Sequence, residues 1–222
     1  LSADLVYAVL VGEIATQRGD LRMAMTHYLH AANLSSDPAM AELAARSALT
    51  LEDSDATHRA ISVWLELAPQ SLSAHQLAAY MLLEDDDVDG AASHLRRVIE
   101  LSDVGGKGGF MLAAGLVAKV KPEGRRLELM RALVADHPEN ADAHHAFAMV
   151  AASVEHYDEA IAAARRALDL SPEGDGPRVF LIRLLLSQDK RQEARETLEG
   201  FVEEDPENHG LRMLYAQLLV EE

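Results

Sequence analysis

The most regular alternation of apolar and polar positions runs from Ala141 to Gly174. Counted within that segment, small or apolar residues stand at 7, 8, 20, 24, 27 and 30: Phe147, Ala148, Ala160, Ala164, Ala167 and Leu170. Spacings of three and four put such residues on one face of an α-helix. A break near His156 divides the segment into two helices. Pro172 ends the second, because proline lacks an N–H and disfavours helix in the residue before it.

The same frame recurs. Pro138, Pro172 and Pro206 stand 34 residues apart, and each is followed by Glu. The segment 175–208 places Leu181, Ala194, Leu198, Phe201 and Pro206 in register. A unit starting at Leu72 places Ala78, Ala79, Ala91, Leu95, Val98 and Leu101. Near the N-terminus Val11, Gly12, Ala15, Ala24, Tyr28, Ala31 and Leu34 fit, with Gly19-Asp20 as the turn. A period of 34 with two helices per unit resembles the tetratricopeptide-repeat family. That family uses small residues at 8, 20 and 27, where its helices cross.

The resemblance implies an all-α fold, a helical-repeat solenoid in which antiparallel helix pairs wind into a right-handed superhelix. It covers residues 1–222 as a single array of about six repeats plus one terminal helix. That helix, His209 to Glu222, carries Leu211, Leu214, Tyr215, Ala216 and Leu218. It is apolar on several sides, whereas a capping helix has a polar outer face. The expectation is a piece of a longer solenoid.

Two units depart from the pattern. Between Asp37 and Pro69, Ala60 and Trp64 look like second-helix positions, which leaves that helix about one turn short. The unit 104–138 has one extra residue, a Gly105-Gly106-Lys107-Gly108-Gly109 loop and Arg126 where alanine is expected. Pro122 reads as the start of its second helix, since a first-turn proline loses no hydrogen bond.

Composition agrees with helices. Hydrophobic residues make up 49% of 222, enough for a core, but aromatics only 5%. The net charge is −17, from 20 Lys plus Arg against 37 Asp plus Glu. Such a chain repels phosphates and lacks the basic stripe of a nucleic-acid binder. With no cysteine there is no disulfide, thiolate metal site or cysteine nucleophile. No apolar run approaches the length of a membrane span.

Motifs that could carry chemistry fall short on inspection. Asp85, Asp87, Asp89 and Gly90 match the first half of a calcium loop, but position 12, which should be Glu, is Arg96. An acidic turn that caps a helix accounts for them. Lys107 is followed by Gly108, and no strand precedes it, so the glycine run is no phosphate loop. His27 with His30, and His144 with His145, lack the third ligand that catalytic zinc needs. No catalytic, cofactor-binding or metal residues are assigned, and no cofactor is expected.

What remains is the surface of the first helices, which lines the concave face in the family through positions 2, 5, 9, 12 and 13. Here those positions include Val9 and Glu13; Gln76, Tyr80, Leu83 and Glu84; Met111 and Lys119; His145 and Met149; Val179, Arg183 and Leu186; Met213 and Gln217. Tyr80, Leu83, Met149, Arg183, Leu186 and Met213 are the partner-binding candidates. Mixed Tyr, Leu, Met and Arg suit a protein surface. Val9, Glu13, Gln76 and Tyr80 lack the basic clamp that family members use to hold chaperone C-termini.

A second resemblance is looser. Ala44-Ala45-Arg46, Ala60-Ile61, Trp64-Leu65-Glu66-Leu67-Ala68-Pro69 and Leu77-Ala78-Ala79 look like the first repeats of proteobacterial tetratricopeptide lipoproteins of the outer membrane. That resemblance implies a periplasmic location and an adaptor holding a carboxyl-terminal processing protease with substrates such as peptidoglycan hydrolases. The function expected is a non-enzymatic protein scaffold. The alternative is a regulatory or structural module for a peptide or saccharide, with an enzyme third.

Overall fold

The expected helix pairs are present. The computed structural model describes residues 2–102 and 108–220, which form thirteen α-helices and no strand. Two compact units divide the chain, Leu1–Gly109 and Phe110–Glu222. The first contains α1 (Ala3–Gln17), α2 (Leu21–Ser35), α3 (Pro38–Thr50), α4 (Ser54–Leu67), α5 (Leu72–Glu84) and α6 (Val88–Ser102). The second contains α7 (Gly109–Val117, beginning at the boundary), α8 (Glu123–Ala135), α9 (Ala141–Ser153), α10 (Tyr157–Leu170), α11 (Asp175–Ser187), α12 (Arg191–Glu204) and α13 (His209–Val220). Of the glycine run, Gly105, Gly106 and Lys107 lie outside the described residues.

One turn is reused in five repeats. With units starting at Leu5, Pro38, Leu72, Ala141 and Asp175, position 15 is Gly19, Glu52, Asp86, Glu155 and Asp189. All five have positive φ, between 55° and 74°. The residue after each sends its N–H back to a carbonyl five residues earlier: Asp20 to Ala15, Asp53 to Ala48, Asp87 to Leu82, His156 to Ala151 and Lys190 to Leu185, at 2.8–3.1 Å. This closure satisfies carbonyls that the ended helix leaves open. In the first unit an aspartate then caps the next helix: Asp20 accepts from Met23 N–H, Asp53 from Ala56 N–H and Asp87 from Gly90 N–H, at 2.9–3.1 Å. The Asp85–Asp89 cluster therefore contains a helix cap, as its position after α5 suggested.

The crossings are close because their residues are small. Position 8 is Gly12, Ala45, Ala79 and Ala148, all buried, with the larger Ile182 buried there in the unit starting at Asp175. Position 20 is Ala24, Ala91, Ala160 and Ala194, each with no exposed surface. Residues 38–71 obey the same frame, which corrects the short-helix expectation. Helix α4 has fourteen residues, as α10 has, so no turn is missing. The crossing residue is Thr57, not Ala60. Its buried hydroxyl donates to the Asp53 carbonyl at 2.8 Å, which hides a polar group where alanine usually stands.

Arg126 holds the crossing position in the other departing unit. Its Nε donates to the Val120 carbonyl at 2.8 Å, and Glu123 lies 3.4 Å from its Nη1. Pro122 is the cap of α8 rather than its first residue. On the second-helix side, Arg131 pairs with Glu159 at 2.7 Å, and Arg165 pairs with Glu193 one period later. These exposed pairs contribute little singly.

Candidate functional site

The first helices set their positions 5 and 9 in rows because each repeat has the same length and turn. In the second unit the rows read His145, Val179, Met213 and Met149, Arg183, Gln217, from α9, α11 and α13. His145 and Phe180 meet edge to face with ring centroids 5.7 Å apart, which joins α9 to α11. A β-carbon on Gly176 would lie 3.1 Å from the His145 ring, so a larger residue there would push the ring by a few tenths of an ångström. Burial holds the His145 pKa below the ordinary histidine value, with nearby Asp142 opposing. At neutral pH it is an uncharged, partly apolar ring in the row.

The six candidates separate by burial. Met149, Arg183 and Met213 are exposed, Met213 by 66%. Arg183 makes no ion pair among the described residues. Leu186 is half-buried and packs on the cluster of Ile182, Leu198, Leu211 and Leu218. Tyr80 is half-buried against the cluster that includes Trp64, Ala78 and Met81, and Leu83 is half-buried too. Tyr80 and Leu83 belong to the first unit, the other four to the second. The second unit thus presents Met149, Arg183 and Met213 on one first-helix face, with Val179 between them in the frame.

In the first unit the same rows are Val9, Glu42, Gln76 and Glu13, Arg46, Tyr80. All three charges in these rows are already engaged. Arg46 pairs with Glu42 at 2.7 Å, and Glu13 accepts from the Tyr28 hydroxyl at 2.9 Å. Burial first, and then Glu13, push the Tyr28 pKa up, while the Thr16 hydroxyl opposes; Tyr28 stays a neutral donor.

Two surfaces escaped the sequence analysis. Helix α1 exposes Val6, Tyr7, Leu10 and Ile14. Their spacing of three and four was visible, but only the positions of the concave face were read. A cleft of about 410 Å³ lies among α8, α9 and α10, lined by Val134, Pro138, Phe147, Ala162 and Ala163 beside the Arg131–Glu159 pair. It exists because Ala162 and Ala163 present only methyl groups there. No group of three or more histidine or carboxylate side chains is arranged to hold a metal among the described residues. No described helix is long and apolar enough to cross a membrane.

Sequence comparison with known proteins agrees with the repeat frame. Residues 151–218 match the family model described as tetratricopeptide repeat. A TPR repeat-containing protein of Pseudomonas aeruginosa is 28% identical over 220 residues, 97% of this chain and 36% of the relative. The chain therefore spans about a third of that relative's length. Among solved structures, a tetratricopeptide repeat protein from Parabacteroides merdae aligns with TM-score 0.47 at 13% identity, over 97% of this chain and 84% of that one. PilW, a type IV pilus biogenesis factor, aligns with TM-score 0.47 at 12% identity, over 96% and 99%.

Proposed function

The chain belongs to the tetratricopeptide-repeat family, and on that premise we propose that it is a non-enzymatic scaffold that binds other proteins along its first helices. The observation that carries this reading is the face of α9, α11 and α13, where exposed Met149 and Met213 flank an Arg183 with no ion pair among the described residues. Flexible methionines adapt to varied apolar surfaces. An arginine among them supplies a directional donor for a carboxylate or carbonyl. Together they fit a folded surface or an amphipathic helix better than a bare carboxyl terminus.

The finer reading comes from the lipoprotein resemblance. The scaffold holds a carboxyl-terminal processing protease and its substrates, peptidoglycan hydrolases among them, at the periplasmic side of the outer membrane. The likeness of residues 41–79 to those lipoproteins carries this reading, and the cysteine-free, acidic composition is compatible with it. In that role the protein changes which substrates are cut and how fast, and cuts nothing itself. The test is degradation of a purified hydrolase by the purified protease with and without this protein. Equal rates, together with no complex between protein and protease, contradict the adaptor reading and leave the scaffold reading to be tested by its own partners.

A further inference from the structure

Five first helices, α3, α5, α9, α11 and α13, bury a face that α1 leaves open. At positions 3, 6 and 10 this face is Met40, Leu43 and Ser47 in α3, Ala74, Leu77 and Met81 in α5, and Ala143, Ala146 and Val150 in α9. In α11 it is Pro177, Phe180 and Leu184, and in α13 it is Leu211, Leu214 and Leu218. None of these residues is exposed, and each of these helices packs against the second helix before it, α3 on α2, α5 on α4, α9 on α8, α11 on α10 and α13 on α12. The same positions in α1 are Tyr7, Leu10 and Ile14, exposed by 63%, 56% and 47%. Val6 extends the stripe.

We propose that this face is the seat of one further helix, of the second-helix kind, lying directly ahead of residue 1 in the natural polypeptide. The inference concerns how the array is built rather than what it binds. Three considerations select this occupant. Helices α3, α5, α9, α11 and α13 meet such a helix on this face. The Pseudomonas relative is nearly three times as long, so a longer chain is in keeping with it. The third is size. Helix α1 has fifteen residues, so one face offers a footprint of roughly 22 by 10 Å, about 220 Å². A stable interface between separate molecules needs ~800 Å² per partner. A second copy docking through α1 falls short, whereas a helix joined by a short link pays little of the association cost.

The link should be short. Two residues, Ser36 and Asp37, join α2 to α3, and four join α4 to α5, α10 to α11 and α12 to α13. Ser2 already caps α1 through Leu5 N–H at 3.1 Å, as a residue at the end of such a link would.

Because the chain has no cysteine, Leu10→Cys introduces a single thiol on this face. Its rate of reaction with a maleimide is measured in the 222-residue chain and in the natural full-length polypeptide, with Glu173→Cys in an exposed loop as reference. The expected result is ready modification in the 222-residue chain and at least about tenfold slower modification in the full-length protein, as for a site reached only by local opening. Equal rates in both overturn the proposal, as does a full-length polypeptide with no helix directly ahead of residue 1. Protection that appears in the 222-residue chain as its concentration rises assigns the face to a second copy and overturns it as well.

Discussion

The Tyr28 ring lies where a β-carbon on residue 12 would have to go. Built on the Gly12 backbone, that carbon falls 2.8 Å from Tyr28 Cε1 and 2.9 Å from Cδ1. The ring is fixed at its far end, where its hydroxyl meets Glu13 at 2.9 Å and Thr16 at 3.1 Å. The crossing of α1 and α2 is therefore set by a missing side chain on one helix and an anchored ring on the other.

Gly12→Ala should accordingly destabilise the protein although alanine is the better helix former. Helix propensity favours alanine by about 1 kcal/mol, and overpacking costs about 1–3 kcal/mol. The net expectation is a loss of up to about 2 kcal/mol in urea unfolding. A gain in stability would show that the ring yields freely.

The position 15 turns predict the opposite effect. Glu155 sits at φ 63° without the freedom of glycine, a conformation that costs an L-residue about 1–2 kcal/mol. Glycine raises the unfolded chain's entropy, which returns about 0.5–1 kcal/mol of that. Glu155→Gly should stabilise by roughly 0.5–1 kcal/mol, and Gly19→Ala, at φ 74°, should destabilise by a similar amount. Melting temperatures of the two variants moving in the same direction would contradict the shared turn geometry.

Much of this was legible in the sequence, and the gaps have physical reasons. The small residues at most of positions 8 and 20 reported the pairing of helices because a close crossing favours them, whereas position 27 also takes Trp64, Val98 and Phe201. The frame of residues 38–71 was hidden because Thr57 satisfies its own hydroxyl on Asp53 and so can replace alanine. Tyr80 and Leu186 read as surface residues by position, yet both pack on core clusters, since a position in the repeat fixes direction but not the depth of the neighbours. The open face of α1 consists of the residue types that elsewhere fill a core, so only its lack of a neighbour distinguishes it.

That difference in depth separates the candidates by stability. Met149→Ala and Arg183→Glu should change stability by less than about 0.5 kcal/mol, as exposed sites do. Leu186→Ala should cost about 2 kcal/mol or more, and Tyr80→Ala should also lower the melting temperature. Equal, negligible effects at all four would contradict the packing described here.

Acid should weaken the first unit. His75 and His94 face each other through their Nδ1 atoms at 2.8 Å, an arrangement that holds one proton between them. Burial first, and then His75, lower the His94 pKa below 6.5. The unfolded chain then takes up a proton before the folded one does, so stability present above about pH 6.5 is lost as pH falls below it. His145 acts in the same direction in the second unit. Unfolding free energy measured from pH 7 to pH 5 should fall, and His94→Gln should flatten part of that slope. An unchanged slope in the variant would remove His94 from the account.

The central claim is that a partner binds the face of α9, α11 and α13. Arg183→Glu reverses a charge on that face, and Arg165→Glu makes the same change on the second-helix side. With one purified partner, the affinity should fall at least about tenfold for Arg183→Glu, as for loss of a central interface arginine, and change less than about twofold for Arg165→Glu, as for a residue outside the interface. Normal binding by Arg183→Glu with weakened binding by Arg165→Glu would place the partner on the other face and contradict the claim.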